Sequence, residues 1–144
     1  MSIVDIAARK KALAPDQSFI IQAPAGSGKT GLLIQRYLRL LALVDAPEEI
    51  IAITFTRKAA AEMHERIVAA LQLAKDSEEP EQDHKRLTWS LARKALDRNN
   101  IIGWKLLENP NRLKIRTIDG FCASLTRQMP IISHFGTQPQ ICTS

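Results

Sequence analysis

The chain has 144 residues, of which 45% are hydrophobic and 24% charged, with a formal net charge of +5. That length suits one domain with a real core rather than two, and the composition excludes disordered, collagenous and disulfide-built classes. The mild basic excess permits a polyanionic partner without demanding one.

In chain order, "VDIAARKKAL" (4–13) has apolar residues at helical spacing and reads as a short helix ended by Pro15. "SFIIQ" (18–22) reads as a short buried strand. After a glycine-containing loop, "KTGLLIQRYLRLLALV" (29–44) reads as a long helix with Leu33, Tyr37, Leu40 and Leu41 on one face. "IIAITF" (50–55) is almost wholly apolar, as a strand buried on both faces of a parallel sheet would be. "RKAAAEMHERIVAALQLA" (57–74) is a helix with Met63, Ile67, Ala70 and Leu71 on one side. The acidic stretch 75–83, with Pro80, is the candidate mobile loop.

"HKRLTWSLARKALDR" (84–98) is helical, with Leu87, Leu91 and either Ala95 or Leu96 inward. Trp89 and Trp104 read as packing residues. "LKIRTI" (113–118) alternates as a strand does, and "DGFCASLTRQM" (119–129) follows as a helix. The segment 130–144, broken by Pro130, Gly136 and Pro139, reads as loop. Strands alternating with helices in this order imply an α/β protein with an open parallel sheet.

Cys122 and Cys142 lack metal-ligand spacing and fit a reduced, cytoplasmic setting. The N-terminal stretch is charged rather than signal-like, and no apolar run approaches the roughly 20 residues of a membrane span. His64, His84 and His134 read as surface residues.

"APAGSGKT" (23–30) carries the chemistry. A strand, a glycine-rich turn and a helix start place backbone N–H groups around an anion, where the helix also offers unpaired donors and partial positive charge. Gly26 and Gly28 would let the backbone approach a phosphate without a Cβ in the way. Lys29 would reach the β and γ phosphates, and the Thr30 hydroxyl would ligate Mg²⁺. Ala23 stands where the strict pattern has Gly, which is harmless unless that position needs positive φ.

Taken with "IIAITFTRKAAAEMHERI" (50–67), this loop resembles the first two signature segments of the UvrD/Rep-type superfamily 1 DNA helicases. "IRTIDGFCASL" (115–125) is similar to their next one, and the resemblance runs over about residues 3–136. Gly31 follows Thr30 where the UvrD type usually has Arg, which leans the resemblance to the RecB/AddA-like, exonuclease V beta-like helicase–nuclease branch. The family's Gln that reads the adenine edge would fall by position at Arg9.

The resemblance implies a P-loop NTPase (RecA-like) open parallel sheet flanked by helices. Residues 1–136 would be the N-terminal part of the first motor domain, and 137–144 a tail leading into a remainder. It implies ATP and Mg²⁺ as cofactors. The nucleotide would lie against Ala23, Pro24, Ala25, Gly26, Ser27, Gly28, Lys29, Thr30 and Gly31, with Lys29 and Thr30 catalytic. Single-stranded DNA would lie against Thr54, Phe55, Thr56, Arg57, Lys58, Thr117 and Phe121. The other partners would be the rest of the helicase polypeptide and, in that branch, a separate nuclease or helicase polypeptide. The whole enzyme would move 3′ to 5′ on single-stranded DNA, in repair or recombination.

The residues themselves leave two readings of Phe55: the last core residue of its strand, or an exposed ring on which a base stacks. Asp119, where the resemblance leads one to expect His, reads as the cap of the helix that follows. An apolar strand ending in Asp-Glu, which would hold Mg²⁺ and orient the attacking water, is not found in these residues. The expectation is therefore the N-terminal part of a larger ATP-driven enzyme, itself weak in nucleotide binding and nearly inactive in hydrolysis. The alternatives are a small P-loop nucleotide or metabolite kinase and a non-catalytic, nucleotide-responsive single-strand-binding module.

Overall fold

The computed structural model describes residues 3–129 and 132. Readings that fall on the remaining positions, among them the loop over 130–144, His134 and Cys142, lie outside the described residues. The elements are α1 (Ile3–Ala12), α2 (Lys29–Leu41), β1 (Ile51–Thr54), α3 (Arg57–Asp76), α4 (Asp83–Ile102), β2 (Lys114–Thr117) and α5 (Ile118–Gln128). Short 3-10 turns at Pro47–Glu49 and Pro110–Arg112 lead into the two strands.

Helices α2, α3 and α4 pack on one another, and α3 and α5 both reach the sheet. The core is apolar and continuous: Leu38 and Leu41 of α2, Ile67 and Leu71 of α3, and Leu106 are wholly buried. On α2 the inward face is Leu32, Ile34, Tyr37, Leu38 and Leu41. Tyr37 and Leu41 are inward as expected, but Leu33 is 45% exposed, because its neighbours Leu32 and Ile34 take the core-facing positions of that turn. Leu87 is likewise outward at the start of α4, while Leu91, Ala92, Ala95 and Leu96 are buried. The Tyr37 hydroxyl is buried beside the Lys114 backbone N–H without closing a hydrogen bond, and burial pushes its pKa up to about 12.

Among the described residues the sheet has two parallel strands, with Ile51 opposite Lys114, Ala52 opposite Ile115, Ile53 opposite Arg116 and Thr54 opposite Thr117. Ala52 and Ile115 pack against the core. Ile51 and Ile53 are 49% and 50% exposed, so β1 is not buried on both faces. A run of apolar residues reports mean burial and does not separate a covered face from an open one.

The expected strand at 18–22 is not formed. Its alternation survives as burial, with Phe19 and Ile21 against the core and Ile20 fully exposed. A strand also needs a ladder partner, and among the described residues β1 and β2 pair only with each other.

The segments ahead of the two strands are held to each other by side chains. Trp104 is buried, and its indole N–H donates to the Asp45 carbonyl at 2.9 Å. Arg98 donates to the Val44 carbonyl and to the Asp45 carboxylate. Arg112 forks onto both Glu48 carboxylate oxygens at 2.7 and 3.0 Å. The Asn99 side-chain oxygen accepts from the Leu106 N–H, which turns the chain out of α4 after Gly103 in the left-handed region. The chain before β1 is thereby tied to the chain before β2. Between α3 and α4 the acidic linker is held as well: the Trp89 indole N–H donates to the Ser77 carbonyl, and Arg86 pairs with Glu79.

Candidate nucleotide and nucleic-acid site

Pro24 to Ser27 forms a tight turn, with the Ser27 N–H on the Pro24 carbonyl. Gly26, the third residue of that turn, has φ 76°, and Gly28, which precedes α2, has φ 81°. Both values lie in the left-handed region that glycine enters without strain. The need for glycine is therefore conformational: a Cβ on Gly26 would meet nothing within 4 Å. Among the described residues Lys105 is the only non-glycine with positive φ, so Ala23 sits in ordinary backbone and its departure from Gly is tolerated.

The N-terminus of α2 carries no side-chain cap and no acidic residue in its first turn. Its leading N–H groups and its dipole are thus left for an anion. The Lys29 ammonium donates to the Ala23 and Pro24 carbonyls, which holds it across the mouth of the loop. Thr30 and Gly31 follow on the exposed side of the first turn. Beside the loop lies a cavity of about 340 Å³, walled by Ala8, Arg9 and Ala12 of α1, by Phe19 and Ile21, and by Lys29. Arg36 fixes the floor behind it, donating to the Ala12, Ala14 and Gln17 carbonyls and lying over the Phe19 ring. The roles of Arg9 and Arg36 had no signal in the pattern of the loop itself.

The second group of residues sits at the carboxyl end of the sheet. Thr54 and Thr117 are partners in the last rung; β2 runs at once into α5, and β1 reaches α3 through a turn of two residues, Phe55 and Thr56. Thr56 caps α3 by accepting from the Ala59 N–H, and Thr117 caps α5 by accepting from the Gly120 N–H. Asp119 is therefore not the cap; it lies in the first turn of α5, because that helix starts one residue earlier than its sequence suggests. The Thr54 hydroxyl donates to the Thr56 carbonyl and shapes the turn. Phe55 is 91% exposed at the tip of that turn, so it is not a core residue.

Charge separates the two helix starts. Arg57 and Lys58 open α3, whose first turn has no acid, so two cations stand on an already positive helix end. The first turn of α5 contains Asp119, which offsets that positive end. Phe121 does not join the edge. It lines a separate groove on the open face of the sheet with Ile51, Lys114, Arg116 and Leu125. Among the described residues no group of three or more His, Cys, Asp or Glu could hold a metal ion. His64 is partly buried, its Nε2 2.9 Å from the Pro110 carbonyl oxygen, and Cys122 is free and exposed. No helix among them is long and apolar enough to cross a membrane.

The glycine turn, Lys29 and the two strand ends all lie in a stretch whose sequence matches a known family. The chain belongs to the UvrD/REP helicase family: residues 5–138 match its N-terminal domain. It is 32% identical over 125 residues to an ATP-dependent helicase/nuclease subunit of Lachnoclostridium phytofermentans, covering 85% of this chain and 7% of that protein. It is 33% identical over 122 residues to the protein of the same name from Lysinibacillus sphaericus, covering 83% of this chain and 8% of that protein. A 60-residue stretch is 47% identical to DNA helicase II of Salmonella typhimurium, covering 41% of this chain and 8% of that protein. The chain thus spans less than a tenth of the length of these relatives. No solved structure matches it.

Proposed function

We propose that this chain is the nucleotide-binding start of an ATP-dependent DNA helicase, residues 1–136 forming the N-terminal part of its first RecA-like motor domain. The observation that carries the reading is the loop geometry: two glycines at positive φ, Lys29 across the mouth, and an uncapped α2. Backbone N–H groups from 26 to 30 and the Lys29 ammonium suit the phosphates of ATP. The residues fit a Mg²⁺ that arrives with the triphosphate, because Thr30 is exposed in the first turn of α2 and offers one hydroxyl oxygen. When bound, the metal would neutralise charge between the β and γ phosphates. Lys29 and Thr30 are the catalytic assignments in this chain.

The strand-end edge takes single-stranded DNA in this reading. Phe55 offers a ring to a base, and the Thr56 hydroxyl with Arg57 and Lys58 faces phosphate. Thr117 stands at the same edge, and Thr54 holds the turn between. Phe121 lies off this edge, in the groove with Ile51 and Arg116. The names of the relatives, with helicase and nuclease in them, support ATP-driven translocation on DNA beside a second polypeptide. The 3′ to 5′ direction, a role in repair or recombination, and a cytoplasmic location complete the proposal.

The test is fluorescence anisotropy of a labelled oligo(dT) titrated with the chain at two salt concentrations. Binding should fall steeply with salt and weaken in Thr56→Ala and Phe55→Ala. Affinity indifferent to both substitutions would remove DNA from this edge.

A further inference from the structure

Arg9 belongs to α1, outside the phosphate loop, but its guanidinium donates to the Ser27 carbonyl. The same guanidinium nitrogens stand 3.4 and 3.5 Å from where a Cβ on Gly28 would lie. The Ser27 carbonyl and the Gly28 N–H belong to one planar trans peptide unit and point in opposite directions. A bond that fixes the carbonyl therefore also fixes the aim of the Gly28 N–H. Gly28 at φ 81°, two residues after Gly26 at φ 76°, gives this peptide little steric resistance to turning over. Turned over, it would present a carbonyl oxygen, not an N–H, to an incoming phosphate. Arg9 also shares the wall of the 340 Å³ cavity with Lys29, so its charge lies on the approach to the loop.

We propose that Arg9 is the positioning residue of the phosphate loop: it holds the Ser27–Gly28 peptide with its N–H aimed at the phosphate chain of a nucleoside di- or triphosphate. This rests on the phosphate-binding reading of residues 23–31. It makes α1 part of the nucleotide site, which links occupancy of the loop to the seating of that helix. A guanidinium suits the task because its planar fork is pre-organised, so less freedom is lost per hydrogen bond formed.

The experiment titrates N-methylanthraniloyl-ADP into the wild-type chain and into Arg9→Ala, Arg9→Lys and Lys29→Ala. The Gly28 amide is followed by NMR, and the thermal midpoint of each variant is recorded. Arg9→Ala should bind about tenfold more weakly, about 1.4 kcal/mol, and should move the Gly28 amide resonance. Arg9→Lys, which keeps a charged donor, should recover most of the affinity, and the thermal midpoints should stay together. Wild-type affinity and an unmoved Gly28 amide in Arg9→Ala, with binding still lost in Lys29→Ala, would overturn the proposal and leave the loop reading standing. A weakened Arg9→Ala with a lower midpoint and no rescue by lysine would make Arg9 a merely structural residue, which also overturns it. Unchanged binding in Lys29→Ala, or no binding by any chain, would mean that the loop reading itself had failed.

Discussion

Thr54 and Thr117 face each other in the last rung of the two-stranded sheet, and each strand is followed by a helix capped by a threonine. The caps are Thr56 for α3 and Thr117 for α5, each accepting a backbone N–H at 3.1 Å. Losing such a cap destabilises by about 1 kcal/mol. Thr56→Ala and Thr117→Ala should each lower the denaturant midpoint accordingly, and Thr→Ser at either site should restore most of it. Equal stability of the alanine and serine variants would show that the hydroxyls do not cap.

Phe55 separates binding from folding. At 91% exposure its ring contributes little to the core. Phe55→Ala should therefore leave the thermal midpoint in place. Affinity for a single-stranded oligonucleotide should fall by the worth of one stacked base, about 1–3 kcal/mol. A lowered midpoint with unchanged affinity would return Phe55 to a structural role.

Glu48 and Arg112 give the fold an acid-sensitive tie. The Arg112 guanidinium hydrogen-bonded to Glu48 holds that carboxyl below its ordinary value of 4.5. A depressed folded-state pKa means stability that is present above about pH 4.5 and lost as pH falls through the lowered value. Both side chains are more than a third exposed, at 35% and 38%, so solvent screening limits the pair to about 1 kcal/mol or less. Glu48→Gln should lower stability near neutrality by about 1 kcal/mol or less and change little at low pH, which flattens the acid limb of a stability-versus-pH curve. An acid limb as steep as that of the wild type would place the sensitivity elsewhere.

Much of this was legible in the sequence because its signals are local. Helix α3 follows from uninterrupted apolar spacing, and its observed inward face includes the expected Met63, Ile67 and Leu71. The tight turn ahead of α2 follows from glycines whose positive φ few other residues adopt cheaply. What was not legible depends on neighbours. The alternation in residues 18–22 is real, but a strand is made by its ladder partner. The exposure of Ile51 and Ile53 depends on what covers a sheet face. Arg9 is separated from Ser27 by 18 positions, and no spacing rule announces that contact.

The central claim is that residues 23–31 bind nucleotide phosphates through Lys29. Its most direct test is an equilibrium titration of the chain and of Lys29→Ala with N-methylanthraniloyl-ATP and Mg²⁺. The ammonium makes charge-assisted contacts in this reading, so Lys29→Ala should weaken saturable binding by about tenfold or more. Saturable binding of equal strength in both chains would contradict it.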